Sequence, residues 1–302
     1  MRATERAWAL VQGAFDLHVH VGPDLLPRKT DDLSLAQRFR ERGLKGFVLK
    51  SHFAPTAERA QMVRMAVPGV EALGALVLNH GVGGLNPVAV EMAARAGARF
   101  LWFPTVDAAN EVAHLHRLPP EKRPQWARLM EGLREEGLLP PPISVLDGQG
   151  RLRGEARAVL KVAARHGLVV ATGHLSREEI VKVVEAALEE GVRHVVVTHP
   201  DYPTQDLSPA DQRHLADQGA HLERCFVPFY TGKVPWERLF AVLREVGVER
   251  SFLSTDLGQP QNPPVEEGLA LFAEKLLEAG FSEEEVHHMA VAVPTLLAGG
   301  RE

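Results

Sequence analysis

A chain of 302 residues with a formal net charge of −5, 45% hydrophobic and 24% charged residues, has material for a sizeable core and no basic excess that would mark nucleic-acid binding. Its single cysteine, Cys225, excludes an internal disulfide framework and fits a reducing compartment. No apolar stretch reaches the roughly 18 residues of a membrane span and the first residues lack the apolar core of a secretory leader, so the expectation is a cytoplasmic protein acting on a small molecule, with homo-oligomerisation open.

Strand-like and helix-like patterns alternate along the chain. FDLHVH (15–20) is the first strand pattern. A polar loop over 21–32 leads into a helix over 33–43, with Leu33, Ala36 and Phe39 at helical spacing and Gly43 as its stop. GFVLKSH (46–52) is the second strand, followed by a helix over 55–67. The third strand, ALGALVLN (72–79), precedes a helix that Asn86 and Pro87 open. ARFLWFPT (98–105) is the fourth. The stretch 108–167 is the least regular, with a helix over 125–137, a hairpin centred on Asp147–Gly150, and a helix over 155–167. LVVATGH (168–174) follows, then a helix with a capping box of Ser176 and Glu179. HVVVTHP (194–200), a helix near 208–219, HLERCFV (221–227), a helix over 236–247, SFLSTD (251–256) and a helical tail complete the series.

Alternation of this kind argues for a parallel sheet with helices outside it. About eight such units favour a closed barrel, and no GxGxxG turn follows the first strand to support a nucleotide-binding sheet. The expected fold is α/β, a (β/α)8 TIM-like barrel forming a single domain over 1–302, with a small hairpin insertion after the fourth strand.

Six of the strand patterns end in metal-binding or ionisable side chains: His18 and His20, Lys50 and His52, His174, His199, Glu223, and Asp256. Strand alternation puts His18 with His20, and Lys50 with His52, on shared faces. On the same rule Leu17 and Val19, Val196 and Thr198, and Leu253 and Thr255 turn toward the outer helices. Barrel active sites lie at the C-terminal strand ends, where these groups fall. Imidazole and carboxylate suit zinc and other first-row divalent ions, and an unpaired buried cluster of such groups is costly without one.

HxH on the first strand, then His, His and Asp on the fifth, sixth and eighth, resembles the amidohydrolase superfamily over nearly the whole chain. That resemblance implies a distorted (β/α)8 barrel with one or two divalent metals, and the imidazole-rich site makes zinc the expected ion. It implies that His18, His20 and Asp256 hold the more buried ion, with His174 and His199 holding or facing the second. The chain departs from the pattern at its fourth strand, which ends without the lysine carbamate or glutamate that bridges two ions in many members. Lys50 on the neighbouring second strand is the proposed substitute, as a carbamylated bridging ligand. Otherwise it grips an anionic substrate or pairs with Asp256. Glu223 is the other candidate bridge. His52, Arg28 and Glu223 are candidate substrate contacts, beside Asp24 and Lys29 in the first loop.

The expected reaction is metal-assisted hydrolysis of an amide, lactone or related carbonyl compound, with Asp256 and His199 as catalytic residues. A mononuclear decarboxylase and a non-catalytic metal-binding scaffold are the alternatives on the same fold. No GxSxG elbow is present, which disfavours a serine hydrolase.

Overall fold

The computed structural model of the chain describes residues 2–299. Eight parallel strands pair in sequence order: β1 (Phe15–Val19), β2 (Gly46–Leu49), β3 (Glu71–Val77), β4 (Ala98–Trp102), β5 (Val169–Ala171), β6 (Val195–Val197), β7 (His221–Cys225) and β8 (Ser251–Ser254). The ring closes just beyond β8. Val19 and Leu257 form a parallel bridge, and the Asp256 and His20 amides donate to His18 O and Leu257 O, each at 2.8 Å. The expected (β/α)8 barrel is therefore the observed one. Among the described residues no helix is long and apolar enough to cross a membrane.

Local chemistry sets the helix boundaries. Asn86 accepts from the Val88 and Ala89 amides ahead of Pro87, and Gly43, at φ +72°, follows the helix Asp32–Glu41. Leu33 of that helix is 41% exposed, and Leu35 takes its place on the packed face with Ala36 and Phe39. Ser176 and Glu179 form their capping box, and Glu179 also accepts from Ser144 Oγ at 2.7 Å and the Val145 amide at 3.0 Å. One glutamate thus starts a helix and ties down the insertion after β4. That insertion holds the helices Ala109–Arg117 and Gln125–Glu135 and the hairpin bridge Leu146–Leu152. The helix Ala109–Arg117 was not expected, although Val112 and Leu115 carry its apolar spacing.

The inner face of the barrel is a packed layer. Leu17, Val48, Val77, Trp102, Ala171 and Phe252 meet there, and Val293 and Leu297 of the last helix plug the N-terminal end. Each large side chain so buried contributes roughly 1.5–3 kcal/mol. The outward residues of the same strands, Leu101, Val170 and Leu253 among them, pack under the helices.

Two face assignments differ from strict alternation. Register shifts between Asp16 and Val19, so a bulge turns Leu17 inward while Val19 stays outward. Val196 also packs inward, with Val195 and Val197 outside, because β6 ends before His199 and the chain turns there. The strand pattern 221–227 is shorter than expected as well. β7 stops at Cys225, and Phe226–Tyr230 forms a short helix that packs on Trp236 and Phe272.

Candidate metal centre and its cavity

The bulge in β1 aims His18 into the barrel mouth, and the loop after β8 brings Asp256 to it. Of the three non-glycine residues at positive φ among the described residues, two are His199 (+27°) and Asp256 (+56°). Backbone strain of this type costs on the order of 1–3 kcal/mol and collects where surrounding structure holds a side chain in place. Gly258, at φ +135°, lets the loop pass β1, since a Cβ there would lie 1.6 Å from His20 O. Gly173, at φ +64°, does the same before His174, where a Cβ would lie 2.4 Å from Phe103 O.

Asp256 Oδ1 lies 3.2 Å from His18 Nε2 and 3.1 Å from His20 Nε2. These three side chains form a group whose donor atoms all fall within 4.8 Å of one another. The remaining imidazoles gather around it. His52 stacks on His20 at 4.9 Å between ring centroids, and His174 and His199 lie 5.0 Å apart.

Three of the five imidazoles are hydrogen-bonded at Nδ1, and a fourth faces a carboxylate there. His18 Nδ1 meets Glu223 Oε1 at 3.0 Å, His52 Nδ1 meets Thr105 Oγ1 at 2.8 Å, and His199 Nδ1 meets Gln205 Oε1 at 3.0 Å. His174 Nδ1 lies 3.2 Å from Glu111 Oε2. Outer partners of this kind fix the ring and leave Nε2 for a ligand. Glu223, expected as a bridge or substrate contact, sits mid-strand beneath His18. Its oxygens are also engaged by Ser254 Oγ at 2.9 Å and the His199 amide at 3.3 Å. Cys225 lies beside it, Sγ 3.7 Å from His18 Nδ1.

Lys50 Nζ reaches His18 Nε2 at 2.9 Å and lies 5.2 Å from the Trp102 ring centroid. The lysine therefore joins the His18 group directly. Burial lowers its pKa, against the pull of Asp256 and Glu223. Burial first, then the charge of Arg28, holds His20 at about 3. Burial and His174 hold His199 at about 3, and burial and His20 hold His52 well below its ordinary value. These rings are neutral near pH 7, the state that ligates a metal. For His18, burial and Lys50 push down, but Glu223 and Asp256 outweigh them and raise it. Burial would raise Asp256 and Glu223, yet the imidazoles facing them hold Asp256 well below the usual range and Glu223 at about 2.

The group opens into a cavity of about 830 Å³ that His20, Lys50, His52, His174, His199 and Asp256 line from the strand ends. Gln125 and Trp126 of the insertion and Gln259 and Asn262 after β8 form other parts of its wall. Arg28 also lines it, paired to Asp24 at 2.9 Å, whereas Lys29 is exposed. Sequence reasoning missed Glu111, Thr105 and Gln205, which come from the insertion and from loops. It also missed Tyr202 and Lys233, which line the cavity from segments 31 residues apart.

The family model described as DUF6282, a family of unknown function, matches residues 13–223. No curated protein matches the sequence. Among solved structures, an amidohydrolase from Pseudomonas aeruginosa is similar with a TM-score of 0.62 and 12% identity, over 99% of this chain and 98% of that one. The probable dipeptidase PvdM from the same organism is similar at 0.60 and 14%, over 98% and 97%. A triple mutant of an organophosphorus hydrolase from Deinococcus radiodurans is similar at 0.55 and 18%, over 99% and 98%. The chain shares the barrel fold of these structures.

Proposed function

We propose that this chain, which belongs to the DUF6282 family, is a metal-dependent hydrolase that directs water at an amide, lactone or related carbonyl substrate. The observation that carries the reading is the approach of Asp256 Oδ1 to His18 Nε2 and His20 Nε2, at 3.2 and 3.1 Å, at the mouth of a barrel. Two imidazole nitrogens and a carboxylate oxygen within 4.8 Å are a donor set suited to zinc. A divalent ion held there would lower the pKa of a water toward neutrality and polarise the substrate carbonyl.

The protein's own groups do the rest. Asp256 takes the proton of the attacking water and hands it to the leaving group. Glu223 and Gln205 keep His18 and His199 turned so that each Nε2 stays available, and His199 and His174 face the substrate or a second ion. Arg28 lines the cavity, and its pair with Asp24, four residues earlier, braces the first loop internally.

One observation favours the mononuclear decarboxylase reading. Among the described residues the only other three-donor group, His18 with Glu223 and Cys225, lies beneath His18 and is spent on its support. One three-donor group at the mouth is what a mononuclear enzyme needs. Elemental analysis and isotope-labelled bicarbonate decide between the readings. Hydrolysis through two ions predicts about two metals per chain and a lysine carbamate signal that Lys50→Ala removes. One metal, no carbamate and release of CO₂ from an aromatic acid would move the assignment to the lyase. His18→Ala and His20→Ala should lose metal while circular dichroism is retained, since this face of a barrel serves function more than stability. Undiminished metal in both variants sinks the site.

A further inference from the structure

The charge around the cavity is lopsided. Four basic side chains, Arg28, Lys50, Lys122 and Lys233, line it against two carboxylates, Glu111 and Asp256. Both carboxylates are engaged by imidazoles, at 3.2 Å for Glu111 with His174 and at 3.1 Å for Asp256 with His20. Arg28 and Lys50 have partners of their own in Asp24 and His18, each at 2.9 Å. Lys122 and Lys233 have no ion-pair partner among the described residues.

Lys233 is the better placed of the two. It donates to Tyr202 Oη at 2.5 Å and sits 4.9 Å from the centroid of that ring, and the ring in turn lies 5.0 Å from His199. Because the phenol oxygen accepts from Lys233, its own O–H is left without an acceptor among the described residues. The ammonium has further protons to give. Two donors side by side match the two oxygens of a carboxylate, and charge-assisted bonds are the strong ones.

We propose that Tyr202 and Lys233 form a subsite for a carboxylate carried by the substrate, one aromatic ring away from His199. This rests on the hydrolase reading above and narrows it to carboxylate-bearing lactones, amides or related carbonyl compounds. Lys122, from the insertion, adds positive charge to the same cavity and speeds capture of an anion.

Zinc-loaded protein titrated calorimetrically with isophthalate, benzoate and dimethyl isophthalate separates the subsite from the metal. Isophthalate offers one carboxylate to the metal centre and a second to the subsite, benzoate offers only one, and the dimethyl ester offers none. Isophthalate is expected to bind at least about tenfold tighter than either control, the roughly 1.4 kcal/mol of one good charged hydrogen bond. Lys233→Gln and Tyr202→Phe each remove most of that advantage, and Lys233→Arg keeps part of it. Equal binding of the three compounds, or an advantage that survives Lys233→Gln, overturns the subsite. Lys233 lies in an exposed stretch and Tyr202→Phe is a minimal change, so retained zinc content and circular dichroism keep both variants informative. Hydrolysis of neutral lactones such as dihydrocoumarin without any isophthalate preference would retain the hydrolase and reject the subsite. A Lys233-dependent preference with no hydrolysis across a lactone and amide panel would do the reverse.

Discussion

Glu223 and Arg224 are neighbours on β7, both buried, and they belong to two charged clusters on opposite faces of one strand. On the outer face Arg224 meets Asp201 at 2.7 Å, Gln212 Oε1 at 2.6 Å and Ser251 Oγ at 3.2 Å, while Gln212 Nε2 returns to Asp201 at 2.9 Å. That cluster is closed, each member satisfied by another. On the inner face Glu223 supports His18 and, through the His199 amide, the loop that carries His199. The inner cluster crowds imidazoles beside an 830 Å³ opening and holds two of its members at positive φ. Burial and charge alone do not separate function from structure, since both clusters have them. Unspent donor capacity facing a cavity does, and so does strain. The two are linked, because Asp201 lies two residues beyond His199 and the outer ion pair clamps the loop from behind.

Breaking the inner cluster should abolish chemistry and leave the fold. Asp256→Asn removes the group proposed to move the proton and should lower kcat by about 10³-fold, with thermal unfolding within a few degrees of the parent. An Asp256→Asn enzyme of near-parental kcat on the substrate of the parent would exclude that role. Breaking the outer cluster should do the opposite. Arg224→Met leaves Asp201 buried without its partner and should cost about 3–5 kcal/mol in urea unfolding. Its zinc affinity should move far less than that of His20→Ala. A double variant, Arg224→Met with Asp201→Leu, should recover part of the loss, because no charge is then left unpaired. If Arg224→Met proved neutral in stability, the outer cluster would not be structural.

The barrel was legible because its evidence is periodic and repeated: apolar strands, capped helices and ionisable groups at strand ends. His18, His20, Lys50, His52, His174, His199 and Asp256 could be singled out for that reason, and the structure brings them together. What could not be read is what turns them. The bulge in β1 and the positive φ at His199 and Asp256 break the two-residue alternation on which face assignment depends, so Leu17 and Val196 point opposite to expectation. Thr105, Glu111 and Gln205 meet their histidines through loop and insertion geometry, which leaves no periodic trace. Lys233 and Tyr202 likewise meet only when the loops after β6 and β7 fold over the mouth.

A smaller effect tests the orienting role of the inner face. Glu223→Gln keeps the size of the side chain but weakens its hold on His18, and Gln205→Leu removes the acceptor at His199 Nδ1. Loss of an outer-shell partner weakens metal binding by about 10–100-fold. Glu223→Gln should fall within that range in a competition titration with a zinc chelator, and Gln205→Leu should lose less because His199 is not in the three-donor group. The opposite order would mean that His199, rather than His18, anchors the ion.

The least of these effects per unit change is in pH, and it reads the inner face of β7 and its neighbours in the metal-free protein. Burial, then Arg250 and His194, holds His221 at about 4, and burial with neighbouring positive charge holds His20 and His199 at about 3, against 6.5 for a free imidazole. Between pH 6.5 and those values the unfolded chain carries protons that the folded chain refuses, so stability falls as the solution is acidified. Each such group contributes up to about 1.4 kcal/mol per pH unit. Glu223 adds a later loss in the same direction, since its folded value of about 2 lies below its ordinary 4.5 and its stabilisation disappears as pH drops through that window. Asp16 opposes this in part, because burial raises its folded value to about 7 from an ordinary 3.8 and it favours the folded chain as pH falls. The buried imidazoles outnumber it, so urea midpoints of metal-free protein should still decline from pH 7 to pH 5. Because His221 starts β7, facing a cavity beside the last helix rather than the metal group, His221→Gln should flatten that decline by about one proton's worth while leaving zinc affinity at pH 7 intact. A slope that His221→Gln leaves unaltered would place the acid sensitivity entirely in the imidazoles at the mouth, and stability and metal binding would then be coupled through one set of side chains.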